Sequence, residues 1–286
     1  VSDIHWYPGH MTRAVREMKE DIKLIDIMIE IIDARIPVSS RNPDIDSMAQ
    51  NKSRIIILNK SDLADEAATT AWMEKFTADG MIAVKTNAKN GSGLKVMKEA
   101  IAKASEAKIA RDRKRGILNR PVRAMVAGIP NVGKSTFINA YAGRAVAKTG
   151  NKPGVTRGKQ WIKLNKTVEL LDTPGILWPR FDDRTTARHL AYIGSMKNEV
   201  INTRELACEF IKEIGQDYPD MLLKVYGFES EIKGEVNGIE AAFLNELALK
   251  RGMLLKGGEP DIDKAAALLL DDFKNGRLGK ITLEKV

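Results

Sequence analysis

The chain has 286 residues, 43% of them hydrophobic and 29% charged, an ordinary globular composition with enough length for two cores. A single cysteine, Cys208, excludes an intrachain disulfide framework and suits a reducing cytosol, and no apolar run reaches the roughly 20 residues of a membrane span. VSDIHWYPGH lacks a signal-peptide pattern, so the expectation is a cytoplasmic protein with no membrane partner, whose formal net charge of +8 is compatible with a polyanion.

The first half alternates strand-like and helix-like segments. LIDIMIEIID (24–33) is an apolar run ending in an acid, RIIILNKSD (54–62) is β-branched and breaks into polar residues, and MIAVKTNA (81–88) repeats the scheme. Residues 65–80 have helical composition ending in Gly80, and 91–116 read as one long helix that grows basic towards its end. A strand at 121–129, a helix at 133–143, a polar stretch at 144–158 and two strands, KQWIKLN and KTVELLD, follow. This is the rhythm of βαβ units on a parallel sheet. Beyond about Pro179 the β signal fades and five segments show helical spacing, with Cys208 expected as a buried core thiol. The expected organisation is an α/β domain over 1–178, including an N-terminal segment 1–22, and an all-α domain over 179–286.

GIPNVGKST (128–136) matches G-x-x-x-x-G-K-[ST] between a predicted strand and a predicted helix, the context of a P-loop. Glycines let backbone amides curl around phosphate oxygens at a helix N-terminus. The loop residues Asn131, Val132, Gly133, Lys134, Ser135 and Thr136 are therefore assigned to the nucleotide, with Lys134 reaching the β and γ phosphates and the Ser135 hydroxyl on Mg²⁺. LLDTPG (170–175) places Asp172 as the acid that orders the Mg²⁺ shell and the Gly175 amide against a γ-phosphate. Thr156, in NKPGVTRG, is a candidate third member of the metal shell if its loop closes; a plain hydrophilic connection is the other reading.

The upstream NKSD carries base chemistry. Asp62 can accept from both the ring N–H and the exocyclic amine of guanine, a pair that adenine does not present, and the wrong base would leave the carboxylate unpaired. Asn59 supplies an amide on the strand end, Lys60 a stem for the ring face, and TNAK (86–89) a loop whose Ala88 amide could meet the guanine oxygen, with Asn87 beside it as a further nucleotide-binding candidate. Alone, these residues also read as a polar strand end.

NKSD, TNAK, GIPNVGKS, PGVT and DTPG, in that order, resemble the motifs of a circularly permuted TRAFAC-class GTPase. With WYPGHM at 6–11 and a helical C-terminal part, the chain resembles the bacterial ribosome biogenesis GTPase A family. The resemblance implies a P-loop GTPase fold with a permuted parallel-type sheet flanked by helices, and GTP and GDP as ligands. It also implies a large ribosomal subunit precursor and ribosomal RNA as partners, with no DNA expected. Ile176 and Leu177 stand where Ras-type enzymes keep a water-orienting Gln, and the resemblance places the hydrolytic role on His10 instead; a packing histidine is the alternative. It likewise makes Asn131 a candidate K⁺ ligand, which implies K⁺-stimulated hydrolysis. A GTP-regulated RNA-binding scaffold that barely hydrolyses is the second functional reading.

Overall fold

A computed structural model describes residues 16–118, 120–147, 160–164, 167–173, 183–196, 202–228 and 238–286. The chain divides into two compact units, Val1–Arg184 with Glu284–Val286, and Thr185–Leu283. The division thus falls after Arg184, where a boundary after residue 178 was expected, and the last three residues belong to the first unit.

The first unit is built on a six-stranded sheet of β1 (Ile27–Asp33), β2 (Ser53–Asn59), β3 (Ile82–Thr86), β4 (Val122–Ala127), β5 (Gln160–Lys163) and β6 (Val168–Asp172), in spatial order β3-β2-β1-β4-β6-β5. Five strands are parallel and the edge strand β5 is antiparallel to β6. β1 is buried along its whole length, as a strand covered on both faces must be, and this explains its unbroken apolar run. Met28, Ile32, Ile56 and Leu58 share one face by strand alternation. They pack under α1 (16–21), α2 (Pro43–Met48) and α3 (Glu66–Ala78), whose Ile45, Trp72 and Phe76 close two apolar clusters. Asp65 caps α3 by accepting from Ala68 N–H, and Asn42 caps α2 by accepting from Asp44 N–H.

The short helix α2 carries no long apolar period, and the sequence did not announce it. It forms around Glu30, a buried carboxylate in β1 that accepts from Asn42 N–H at 3.1 Å and pairs with Arg41 and Arg54 at 3.3 Å. Burial pushes its pKa up against the pull of those arginines.

α4 (Leu94–Lys114) carries the chain from the edge strand β3 to β4, and lies against β3, β2 and β1. Gly93 starts it at φ 84°, where a Cβ would stand 2.9 Å from Thr86 Cγ2 and closer still to the Lys85 carbonyl. α5 (Lys134–Ala142) follows β4.

The second unit comprises α6 (Arg184–Tyr192) after its first residue, α7 (Thr203–Asp217), α8 (Met221–Tyr226), α9 (Ile239–Lys250) and α10 (Ile262–Lys274). Its centre is an aromatic cluster, with Phe210 5.0 Å from Tyr192 and 4.8 Å from Phe273 between ring centroids. His189 is buried with Nε2 2.5 Å from Glu213 Oε1, a packing role. Cys208, expected in the core, is only half-buried because it sits beside the apolar stripe of α7. Among the described residues no helix is long and apolar enough to cross a membrane.

Candidate nucleotide site

Five parallel strands place their carboxyl ends on one edge of the sheet, and the predicted motifs sit on the turns that leave it. β4 feeds the phosphate loop. Gly128 has φ 154°, and a Cβ there would stand 2.4 Å from the Ile31 carbonyl oxygen, so the loop starts flush against β1 only because the residue is glycine. Asn131 takes φ 64° and Gly133 φ 98°, two left-handed turns that bend the backbone before α5 begins. Val132 is buried, while Ser135 and Thr136 occupy the first turn of α5 in partial exposure. Lys134 Nζ donates to the Ile129 carbonyl oxygen at 2.8 Å across this loop. Burial lowers its amine to about 8, against the opposing charge of Asp172.

β6 delivers Asp172 to the same edge, in register with Val126, and Thr173 Oγ1 ties the strand end by donating to the Val126 carbonyl oxygen at 2.8 Å. Asp172 is buried and its carboxyl is pushed up to about 6 by burial, partly offset by Lys134 and by a hydrogen bond from the Thr173 backbone. Its Oδ1 is buried without a hydrogen-bond partner among the described residues. An unsatisfied carboxylate oxygen on the strand paired with β4, which feeds the P-loop, is the donor chemistry that Mg²⁺ or its water shell satisfies, so the residues present fit the ion.

β2 supplies the base side. Asn59 is buried and bonded at both ends of its amide: Nδ2 donates to the Val132 carbonyl oxygen at 2.7 Å, and Oδ1 accepts from Thr86 Oγ1 and Ala88 N–H, both at 3.1 Å. Gly133 makes room for this, since a Cβ there would stand 2.4 Å from Asn59 Nδ2. Sequence reasoning expected the Ala88 amide to face guanine; in the structure it is bonded to Asn59 instead, because a buried amide oxygen needs donors. Asn87 closes its own loop by accepting from Lys89 N–H at 3.0 Å and donating its N–H to Ser92 O at 3.2 Å. Asp62 is exposed three residues beyond the strand end.

Two residues were missed. Asp33 ends β1 in register with Asn59, and Arg35 follows it. Arg35 Nε and Nη2 donate to Asp33 Oδ1 and Oδ2, each at 2.9 Å, Arg35 N–H donates to Oδ1 at 3.1 Å, and Lys60 Nζ donates to Oδ2 at 2.8 Å. Burial disfavours the Asp33 charge, yet Arg35 and Lys60 outweigh it and hold the carboxyl well below the usual range. The signal was present as an acid at the end of an apolar run, but only the sheet order sets that run beside NKSD. His10, Thr156 and Gly175 lie outside the described residues, as do Ile176 and Leu177.

A P-loop after β4 near the middle of a mostly parallel sheet, with base motifs at the ends of β2 and β3, strands that precede it in the chain, defines a permuted P-loop GTPase. A family model described as 50S ribosome-binding GTPase matches residues 123–224. The ribosome biogenesis GTPase A of Bacillus licheniformis is 44% identical over 99% of this chain and 98% of its own length, and that of Thermotoga maritima 32% identical over 98% and 94%. The crystal structure of GNP-bound YlqF from T. maritima superposes with a TM-score of 0.66 at 29% identity, covering 96% of this chain and 98% of the other. The chain belongs to the ribosome biogenesis GTPase A family.

Proposed function

We propose that the protein is a GTP-hydrolysing assembly factor for the large ribosomal subunit, which binds precursor particles in its GTP state and leaves after hydrolysis. The observation that carries the nucleotide half is the bond from Asn59 to Val132, which fastens a guanine-type motif to a P-loop. The ribosomal half draws on the names of the relatives. Phosphates would lie along the loop from Asn131 to Thr136, cradled by its amides and the α5 N-terminus, with the Gly175 amide at the γ-phosphate. Ser135 and Asp172 would hold Mg²⁺, joined by Thr156, and the ion would neutralise developing charge on the phosphate oxygens. Asp62 would read guanine, with Asn87 and Ala88 bordering the base. His10 would orient the attacking water, and Asn131 would help hold K⁺ near the phosphates.

The helical unit, 185–283, and the basic end of α4 would contribute contacts to ribosomal RNA in the cytoplasm, through phosphates and shape. In the helical unit, Lys250 and Arg251 also lie over Phe228 and Tyr226, at 5.0 and 5.7 Å from the ring centroids.

Single-turnover GTP hydrolysis with and without large ribosomal subunits tests the proposal, alongside sedimentation with precursor particles in GDP and in a non-hydrolysable GTP analogue. Stimulated turnover and GTP-selective sedimentation support it. Nucleotide-dependent binding without turnover would favour the scaffold reading, and no nucleotide-dependent association would remove the ribosomal role.

A further inference from the structure

The guanine site as proposed leaves a question about Lys60. A lysine at a strand end ordinarily extends its ammonium into water, where its strong hydration keeps it mobile. Here the backbone turns left-handed, at φ 58°, and the side chain crosses from the end of β2 to the end of β1, where Nζ meets Asp33 Oδ2 at 2.8 Å. Only 23% of the Lys60 side chain remains exposed. With the ammonium tied off, what the residue offers at the sheet edge is its methylene stem, an apolar strip two residues from Asp62.

Asp33 has no solvent exposure and Arg35 has 1%, so neither touches a ligand directly. Their geometry acts on Lys60. Arg35 grips both carboxylate oxygens, and its own N–H adds a third bond, which fixes the plane of the carboxylate and the direction in which Oδ2 faces. A bidentate arginine holds such a plane where a point charge would not. Asp33 is also set by register, opposite Asn59, so the anchor and the lysine sit on adjacent strands.

We propose that Asp33 and Arg35 are positioning residues for guanine-nucleotide binding: Arg35 orients Asp33, Asp33 holds the Lys60 ammonium, and the Lys60 stem is thereby laid down in advance as the floor for the purine ring. This rests on the guanine-site reading above. A preset side chain spares the ordering cost that a free lysine would meet on binding, so the arrangement acts on nucleotide affinity. The stem meets the ring face and is indifferent to the exocyclic amine that Asp62 reads.

The test is a double-mutant cycle on equilibrium affinity, with Asp33→Asn, Lys60→Met and the double variant, measured with GDP and with IDP, which lacks the exocyclic amine. Each single substitution is expected to weaken GDP binding about tenfold, the double no further than the worse single, with the same fold-loss for IDP. Lys60→Arg, which can still reach Asp33, is expected to restore binding to within about threefold of wild type. Wild-type affinity in Lys60→Met, or losses in the double equal to the sum of the singles in free energy, would overturn the proposal. If Asp33→Asn does not fold, the contrast between Lys60→Met and Lys60→Arg decides: equal affinity in the two overturns it. Equal wild-type affinity for GDP and ADP would instead sink the guanine-site reading.

Discussion

Asn59 and Val132, 73 residues apart in the chain, are joined by a 2.7 Å hydrogen bond between a side-chain amide and a P-loop carbonyl. That bond makes the base motif and the phosphate loop one construction. It also accounts for the reversed motif order, because a parallel sheet is held by lateral pairing, and β1, β2 and β4 pair the same way wherever the chain is cut. The tie depends on contact across strands, and chain order does not enter it.

Asn59→Ala would leave the Ala88 N–H and the Val132 carbonyl without partners in a buried place. The expected cost is about 2–4 kcal/mol of unfolding free energy, read by urea denaturation, with a parallel loss of GDP affinity. Unchanged stability would mean that the three bonds are replaced by water.

Gly133→Ala places a Cβ where Asn59 Nδ2 now lies and demands φ near 98° of an L-residue. We expect at least about 2 kcal/mol of destabilisation and loss of the thermal stabilisation that excess GDP confers on the wild type. Differential scanning fluorimetry with and without GDP reads both effects.

Asp172 makes a pH prediction for the nucleotide- and metal-free protein. Its folded pKa is raised from the ordinary 3.8 to about 6, so between those values the folded state holds a proton that the unfolded state has released. Stability therefore falls as pH rises through that window, by at most about 3 kcal/mol. Asp172→Asn removes this penalty but also the negative charge that offsets the burial of Lys134, so at pH 7.5 the variant should be about 1–2 kcal/mol more stable than wild type, an advantage that shrinks towards pH 4. Urea unfolding of both proteins across that range checks the sign. The same variant should lose the Mg²⁺ dependence of GDP binding.

Glu284 fastens the chain end to the loop after β1. Its carboxylate accepts from Val38 N–H, from Ser39 N–H at 3.0 Å and from the Ser39 hydroxyl, and its backbone oxygen accepts from Trp72 Nε1 at 2.8 Å. Glu284→Ala should cost about 1–3 kcal/mol, and Glu284→Gln, which keeps acceptors, about half as much. Thermal denaturation of the two variants gives the comparison.

K⁺ dependence is a separate expectation, from Asn131. Its left-handed φ of 64° holds it inside the loop bend. GTP turnover in K⁺ buffer should exceed that in Na⁺ at matched ionic strength, and Asn131→Ala should abolish the difference; equal rates in the wild type would remove the assignment.

Much of the architecture was readable because the inner strands β1, β2 and β4 are largely buried on both faces and so announce themselves as apolar runs, and because P-loop chemistry needs glycine, lysine and serine at set spacings. The six strands of the first unit and its helices α3, α4 and α5 fall within a few residues of where period and punctuation put them. Helix α2 was not readable, since it is six residues long and owes its place to a buried Glu30 whose partners come from two different segments.

What the sequence by itself determined was the set of chemical groups and their strand-end or loop-start locations: Asn59 and Asp62 after one strand, Lys134 and Ser135 after another, Asp172 after a third. The tertiary structure alone decided which of these groups are spent inside the protein. The Asn59 amide and the Ala88 N–H are committed to the scaffold, the Lys60 ammonium is held by Asp33, and Asp172 Oδ1 is left without a partner among the described residues. The physical reason is that hydrogen-bond partners across a parallel sheet are set by lateral register. Register pairs residues tens of positions apart, such as Asp33 with Asn59 and Val126 with Asp172, which no local pattern in the chain records.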